Sequence, residues 1–592
     1  MVGSRDYAYY KEHAQDVKLD DITSSERNKN IIQKLHDGDS EFTSLYILDD
    51  DRNGEDDEFI VLEGDDLGWL GYFIGESKTL KLLRLSCNPP PPIGLLEGIC
   101  RNRSIQSLEV KNEIADTTFL HLTPFFSNNK NLTTFTLGCD GMGSDLCAQY
   151  FVVALVKCDS LTHLCFEGGA DGCQFGDDAF NNILRVLHSQ SELERLSLNA
   201  HYTVGEGYAT LSNTLRLGGM GKLRVLDLIY SDVDDEGLQS MVAGISHCRS
   251  LVELNLPSNN QITVTGLRAL SGFFQSESCR LESLGLGGVV MDDEGAIVLA
   301  TGLARYKPLK HLDISGNDIG DEGIAALVSG LTIAANTSLE TLRLSRNPFT
   351  IAGIRSLSTL IQSERSCLKL LGLGSIRNGD NEEVAVILAN ALTNNTSLMN
   401  LGLGYDISEA RGVTFSKLLC DTSSINNIYS SNHTLEVIGD LEYDRETTND
   451  EVLKYLVLNR NTRCLNPIDR GLVPMCKILI HHPDLADMKP FYQWKLKVLP
   501  LMVKWFQKAS ACQDYFEESV DVFQRRELSA MYRFIRGVPM LVADGFWSQQ
   551  LKQVRVKKRN FEEVEKKQLL AILEKKRKLE EEEMQVLDRL SG

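Results

Sequence analysis

Long apolar runs, a leader-like apolar core, paired cysteine spacings and catalytic signatures are all missing from these 592 residues. No apolar run reaches the roughly 18 residues that a membrane-spanning helix needs, so no span is expected. The opening MVGSRDYAYYKEHAQDVKLDD carries no apolar core, so export is not expected. The 14 cysteines are scattered, as at Cys139, Cys165, Cys279 and Cys367, without a CxxC. Free, mostly buried thiols in a reducing compartment are therefore expected rather than disulfides. Basic residues number 61 against 82 acidic ones, a formal charge of −21. Phosphate backbones are bound through clustered Lys and Arg, so nucleic acid is not an expected partner. There is no G-x-S-x-G, H-E-x-x-H or Cys–His signature, and no zinc spacing. The chain is not expected to be an enzyme. No catalytic residue, cofactor or metal is assigned.

What the sequence has is repetition. Leu309, Leu312 and Ile314 stand at the spacing L-x-x-L-x-L, and Asn317 follows. Strand residues alternate faces, so Leu312 and Ile314 point one way and His311, Asp313 and Ser315 the other. Asn317 is suited to hydrogen-bond the backbone as the chain turns. Asp321, Glu322 and Gly323 open a helix, with Asp321 the expected N-cap. Ile324, Leu327, Val328 and Leu331 then give it one apolar stripe. Leu339, Leu342 and Leu344 begin the pattern again. One strand and one helix cannot bury their apolar faces alone, so copies must stack. Each fully buried Leu or Ile contributes about 1.5–3 kcal/mol.

Strand starts recur at Leu80, Ile105, Leu132, Leu161, Leu193, Leu223, Leu251, Leu281, Leu309, Leu339, Leu368 and Leu398. Phe42, Leu45 and Ile47 make a degenerate first copy, and Leu435 with Ile438 a frayed last one. The expected fold is α/β: a curved solenoid of strand-plus-helix repeats with a parallel concave sheet and a C-terminal α-helical region. Residues 1–40 are expected as an N-terminal cap or disordered segment, and 41–440 as a solenoid of about fourteen units. Residues 441–550 are expected as a helical domain with an aromatic-rich core (Phe491 to Ala509), and 551–592 as a charged helix capable of weak self-association.

Several near-motifs reduce to structure. LGGMGKL (Leu217 to Leu223) resembles a phosphate loop, but Leu223 stands where such a loop needs a hydroxyl and itself starts a strand. His481 and His482 are adjacent and would point apart on a helix. Asp49, Asp50, Asp51, Glu55, Asp56, Asp57 and Glu58 lack the Gly and closing Glu of a calcium loop. Pro89 to Pro92 read as a stiff loop. The basic run Lys552 to Arg559 reads as a charged helix face. The sequons at Asn102, Asn336, Asn394, Asn395 and Asn432 mostly precede strands, as by-products of the repeat. The Asn after the strand is kept at Asn88, Asn259, Asn317 and Asn347. It becomes Glu113, Asp140, His201, Ser231 or Asp406 elsewhere, and Val289 or Ile376 in two copies. Asp and Ser there are expected still to accept a backbone bond.

The repeats from Leu80 to Leu403, with the D-E-G helix entry, resemble the ribonuclease-inhibitor-like leucine-rich-repeat superfamily. That superfamily includes inhibitors of ribonucleases, activators of the Ran GTPase and the sensing arrays of NOD-like receptors. The segment PFYQWKLKVLPLMVKWFQKA is similar to the helical stretch that follows such arrays in many algal proteins. The resemblance implies a binding scaffold whose concave face takes a protein partner. The alternative it offers is a GTPase-activating regulator of a Ran-like small GTPase, although Glu580 to Glu583 is a short acidic run for that role. The outward strand residues nominated for that face are Arg84, Glu109, His163, Glu167, Arg195, Asp227, Glu253, His311, Asp313, Arg343 and Asn400. Three L-G-L-G copies add Gly285, Gly287, Gly372, Gly374, Gly402 and Gly404, where a partner is expected to approach bare backbone. A cytoplasmic location is expected, with the nucleus as the alternative.

Overall fold

The computed structural model describes residues 7–481, apart from 50–55, 87–89, 112, 115–116, 139–140, 143–144, 169–176, 200–205, 334–337, 375–381, 405–406, 441–444, 447–448 and 464–471. The aromatic run Phe491 to Ala509, the basic run Lys552 to Arg559, the charged terminal segment, most of the acidic insertion and the positions Asn88, Asp140, His201, Asn336, Ile376 and Asp406 lie outside the described residues. The chain divides into two units, Met1–Thr414 with Val437–Asp450, and Phe415–Glu436 with Glu451–Gly592.

The first unit is built on one sixteen-stranded sheet. From Ser44–Leu48 to Val437–Asp440 each repeat strand pairs in parallel with the next, the helices forming the second layer. A helix needs about 10 Å of width and a strand about 4.8 Å, so stacking bends the unit with its strands on the inside. The leucine ladder is fully interior: Leu309, Leu312 and Ile314 have no exposed surface. Between Ile105 and Leu193 phenylalanines replace some leucines, and Phe119, Phe126, Phe135, Phe151 and Phe166 pack ring against ring. The cysteines described are free thiols. Burial pushes Cys248 up to about 11. Among the described residues no helix is long and apolar enough to cross a membrane.

Two ladders of side chains bind each repeat to its neighbour. Asn317 accepts from the Val289 and Met291 N–H groups at 3.1 and 3.0 Å, and donates to the Leu286 and Ile314 carbonyls at 2.9 Å each. Asn259 does the same with Ser231, Val233, Leu228 and Leu256. At Ser231 the expected bond runs the other way: the hydroxyl donates to the Leu198 carbonyl at 2.6 Å. Val289 has no such group, and its flanking repeats serve the carbonyls it would have taken.

The second ladder corrects the expected role of Asp321. Its helix, Asp321–Ile333, is capped by Asp293 of the preceding repeat, which accepts from Gly320 and Gly323 N–H at 2.6 and 2.9 Å. Asp321 reaches forward instead. It accepts from the Thr350 N–H and hydroxyl and the Gly353 N–H, each at 2.7 Å. Asp235 holds Thr263 and Gly266 likewise, whereas Asp234 and Asp292 cap their own helices. In D-D-E-G, then, the first Asp serves its own helix and the second serves the next. The glycine leaves room for this: a Cβ on Gly323 would stand 2.6 Å from Asp293 Oδ1.

At the sheet's start, Glu58–Ile60 adds a further parallel strand beside Ser44–Leu48. The helix Glu26–Asp37 covers it through buried Asn28, whose amide bonds both the Ile60 carbonyl (2.7 Å) and the Ile60 N–H (3.1 Å). Covering an end strand in this way removes an edge that would otherwise template another chain. At the other end Arg445–Glu446 pairs antiparallel with Val437–Asp440.

Candidate functional site

In-register pairing turns the outward strand positions into rows across the inner face. The middle row runs Tyr46, Arg84, Glu109, Thr136, Cys165, Ser197, Asp227, Asn255, Gly285, Asp313, Arg343, Gly372, Gly402 and Gly439. His163, Arg195, Glu253, His311 and Asn400 belong to the row two positions earlier along each strand. Glu167 falls in the row two positions later, beside Gly138 and Asn199. Gly287, Gly374 and Gly404 stand at that same later step in their own repeats.

The early rows spend their charge internally. Arg84 Nε meets Glu109 Oε2 at 2.6 Å, and its guanidinium lies over the Tyr46 ring. Lys111 Nζ meets Glu167 Oε2 at 2.7 Å. Asp227, only 4% exposed, takes three partners: Arg195 Nη1 at 2.8 Å, the Ser197 hydroxyl at 2.7 Å and the Asn255 amide at 2.7 Å. Asn255 also donates to Glu253 at 2.8 Å.

The later rows differ. Arg343 is exposed, and its guanidinium has no hydrogen-bond or ion-pair partner among the described residues. Asp313, its neighbour in register, is half-buried and uses one oxygen on the Ser315 N–H at 3.0 Å. His163 and His311 are exposed, while Asn400 is half-buried.

A leucine-rich-repeat family model matches residues 247–271, 307–328 and 335–358. NACHT, LRR and PYD domains-containing protein 14 of Mus musculus is 30% identical over 280 residues, covering 43% of this chain and 28% of that protein. The ribonuclease inhibitor of Sus scrofa is 29% identical over 251 residues, covering 37% and 53%. The repeats of this chain are leucine-rich repeats, similar to those of ribonuclease inhibitors and of the NACHT, LRR and PYD domains-containing proteins. A third relative, NACHT, LRR and PYD domains-containing protein 5 of Homo sapiens, is 29% identical over 302 residues, covering 50% and 24%. The chain therefore spans about half of the inhibitor and about a quarter of the two larger relatives. Leucine-rich-repeat arrays act in protein–protein interaction, through the long inner surfaces that stacking creates.

Within this leucine-rich-repeat face the glycine strands need correction. Gly285, Gly372, Gly374 and Gly402 are buried, so they do not bare the backbone as expected. A Cβ on Gly285 would lie 2.8 Å from Asn255 Oδ1, and one on Gly374 would lie 2.5 Å from Ser345 Cβ. Gly374 also has a left-handed φ of +54°. Gly287 and Gly404 keep partial exposure. The residues that sequence reading missed are Tyr46, Lys111, Ser197 and Asn255, which complete the early network. Counting two positions along each repeat would have found them. Elsewhere, LGGMGKL is a turn leading into buried Leu223.

Proposed function

We propose that this protein is a binding scaffold whose protein partner docks on the inner strand face, centred on the repeats that begin at Leu281 to Leu398. The observation that carries this reading is the contrast between spent and unspent charge. Early ions are matched within the face, so a partner would have to break those bonds to use them. Arg343 and His311 are exposed, and the Arg343 side chain lies beside Gly372, where a Cβ would come within 3.6 Å of its Cγ. Exposed arginine in such a setting is typical of residues that dominate interface energies. No observation favours the GTPase regulator over the scaffold.

The test is comparative capture from the native lysate. Wild-type protein, D313R/R343E and the pair-preserving swap R84E/E109R are immobilised side by side. The proposal expects the partner to be lost with D313R/R343E and kept with the swap. Equal retention by all three would remove the late rows as the docking site.

A further inference from the structure

At the strand-entry edge, where each helix returns to its next strand, lies an open cavity of about 560 Å³. Lys222, Arg224, Arg249 and Arg280, drawn from consecutive repeats, line it together with Glu194 and Glu282. The carboxylates do not balance the cations. Glu282 is paired with Lys310 at 2.8 Å. Lys222 is paired with Glu192 at 2.6 Å. Arg280 spends Nη1 on the carbonyls of Glu277 and Cys279, at 2.7 and 2.8 Å. The side chains of Arg224 and Arg249 are exposed and have no hydrogen-bond or ion-pair partner among the described residues. Three guanidiniums thus share one recess in a chain of net charge −21, with Glu194 as the one acidic lining group not already in an ion pair.

We propose that this cavity binds a phosphorylated side chain carried by a segment of a partner protein. A phosphomonoester holds about −1.5 to −2 charge on one tetrahedral centre, and its oxygens suit the planar fork of guanidinium. Several arginines can then share one compact dianion. A long polyanion fits worse, because it would have to pass Glu194 and extend over a chain of net charge −21. Val252 and Pro308 also line it, beside Gly221 and Ser250, and suit apolar residues flanking the phosphate. The site lies at the strand ends, away from the inner rows, and stands whether or not the concave-face reading holds.

The test uses the full chain and three probes: a degenerate phosphoserine peptide library, the same library unphosphorylated, and phosphatidylcholine vesicles carrying phosphatidylinositol bisphosphate. Fluorescence polarisation is expected to show the phosphorylated library binding about tenfold tighter or better, a preference lost in R224E/R249E. R224K/R249K keeps the charge but not the fork, so it is expected to bind more weakly than wild type with an unchanged thermal melt. Equal binding of the two libraries would overturn the proposal. So would an undiminished preference in R224K/R249K, or vesicles bound more tightly than peptides, which would assign the cavity to a membrane surface.

Discussion

Asp293, Asp321 and Asn317 each act on a neighbouring repeat, so single substitutions there should loosen the joint between units. Losing a helix cap costs about 1–2 kcal/mol, so D293A and D321A are each expected to fall by that amount in urea unfolding at neutral pH. Burial raises the Asp321 carboxyl, but bonds from the Thr350 hydroxyl and the Thr350 and Gly353 N–H groups outweigh it and hold it below the usual range. A depressed folded value means the contribution is complete above the unfolded value of about 3.9 and fades as pH falls through the folded one. The D321A deficit should therefore shrink below about pH 4; a constant deficit down to pH 3 would contradict this assignment. N317V strips the partner from the Val289 and Met291 N–H groups and the Leu286 carbonyl, while the Ile314 carbonyl keeps Asn347, and is expected to cost about 3 kcal/mol on the same measurement. The Asn position could be read from L-x-x-L-x-L-x-x-N. The forward reach of Asp321 could not, because a bond within a repeat and one to the next copy leave the same periodic signature.

At the scale of the element, strands and helices were legible because their apolar spacing differs, period two against three to four. What the glycine strands do was not legible, since the burial of Gly285 depends on Asn255 in the adjacent strand. In the second unit the helix Leu472–His481 buries Lys477 completely. Its ammonium donates to the Leu419 and Asn432 carbonyls at 2.6 and 3.3 Å and lies 3.2 Å from His433 Nδ1. Burial first, and then this ammonium, push His433 down to about 4. His433 is thus neutral when folded but titrates near 6.5 when unfolded. Its neutral form is fully favourable above 6.5, and the stability is lost as pH falls from there towards 4. H433Q should flatten that dependence. Hydrogen-exchange protection of Leu472–His481, corrected for intrinsic rates, would check it; the same acid loss in H433Q would assign the effect to another group.

For the repeat unit as a whole, the regular copies establish the architecture and the irregular contacts establish where a partner can bind. In-register stacking follows from the constant repeat, so the rows could be drawn in advance. Which ions in those rows remain unspent required the side-chain geometry, because Arg84 and Arg343 occupy equivalent positions and differ only in their neighbours. The most direct measurement is a hydrogen-exchange footprint of the complex with whatever partner wild-type protein captures. Slowed exchange is expected along Ser283–Gly287, His311–Ser315, Thr341–Ser345 and Leu370–Gly374, with Leu82–Ser86 and the outer helices unchanged. Protection confined to the helices, or to the strands before Leu281, would contradict the account.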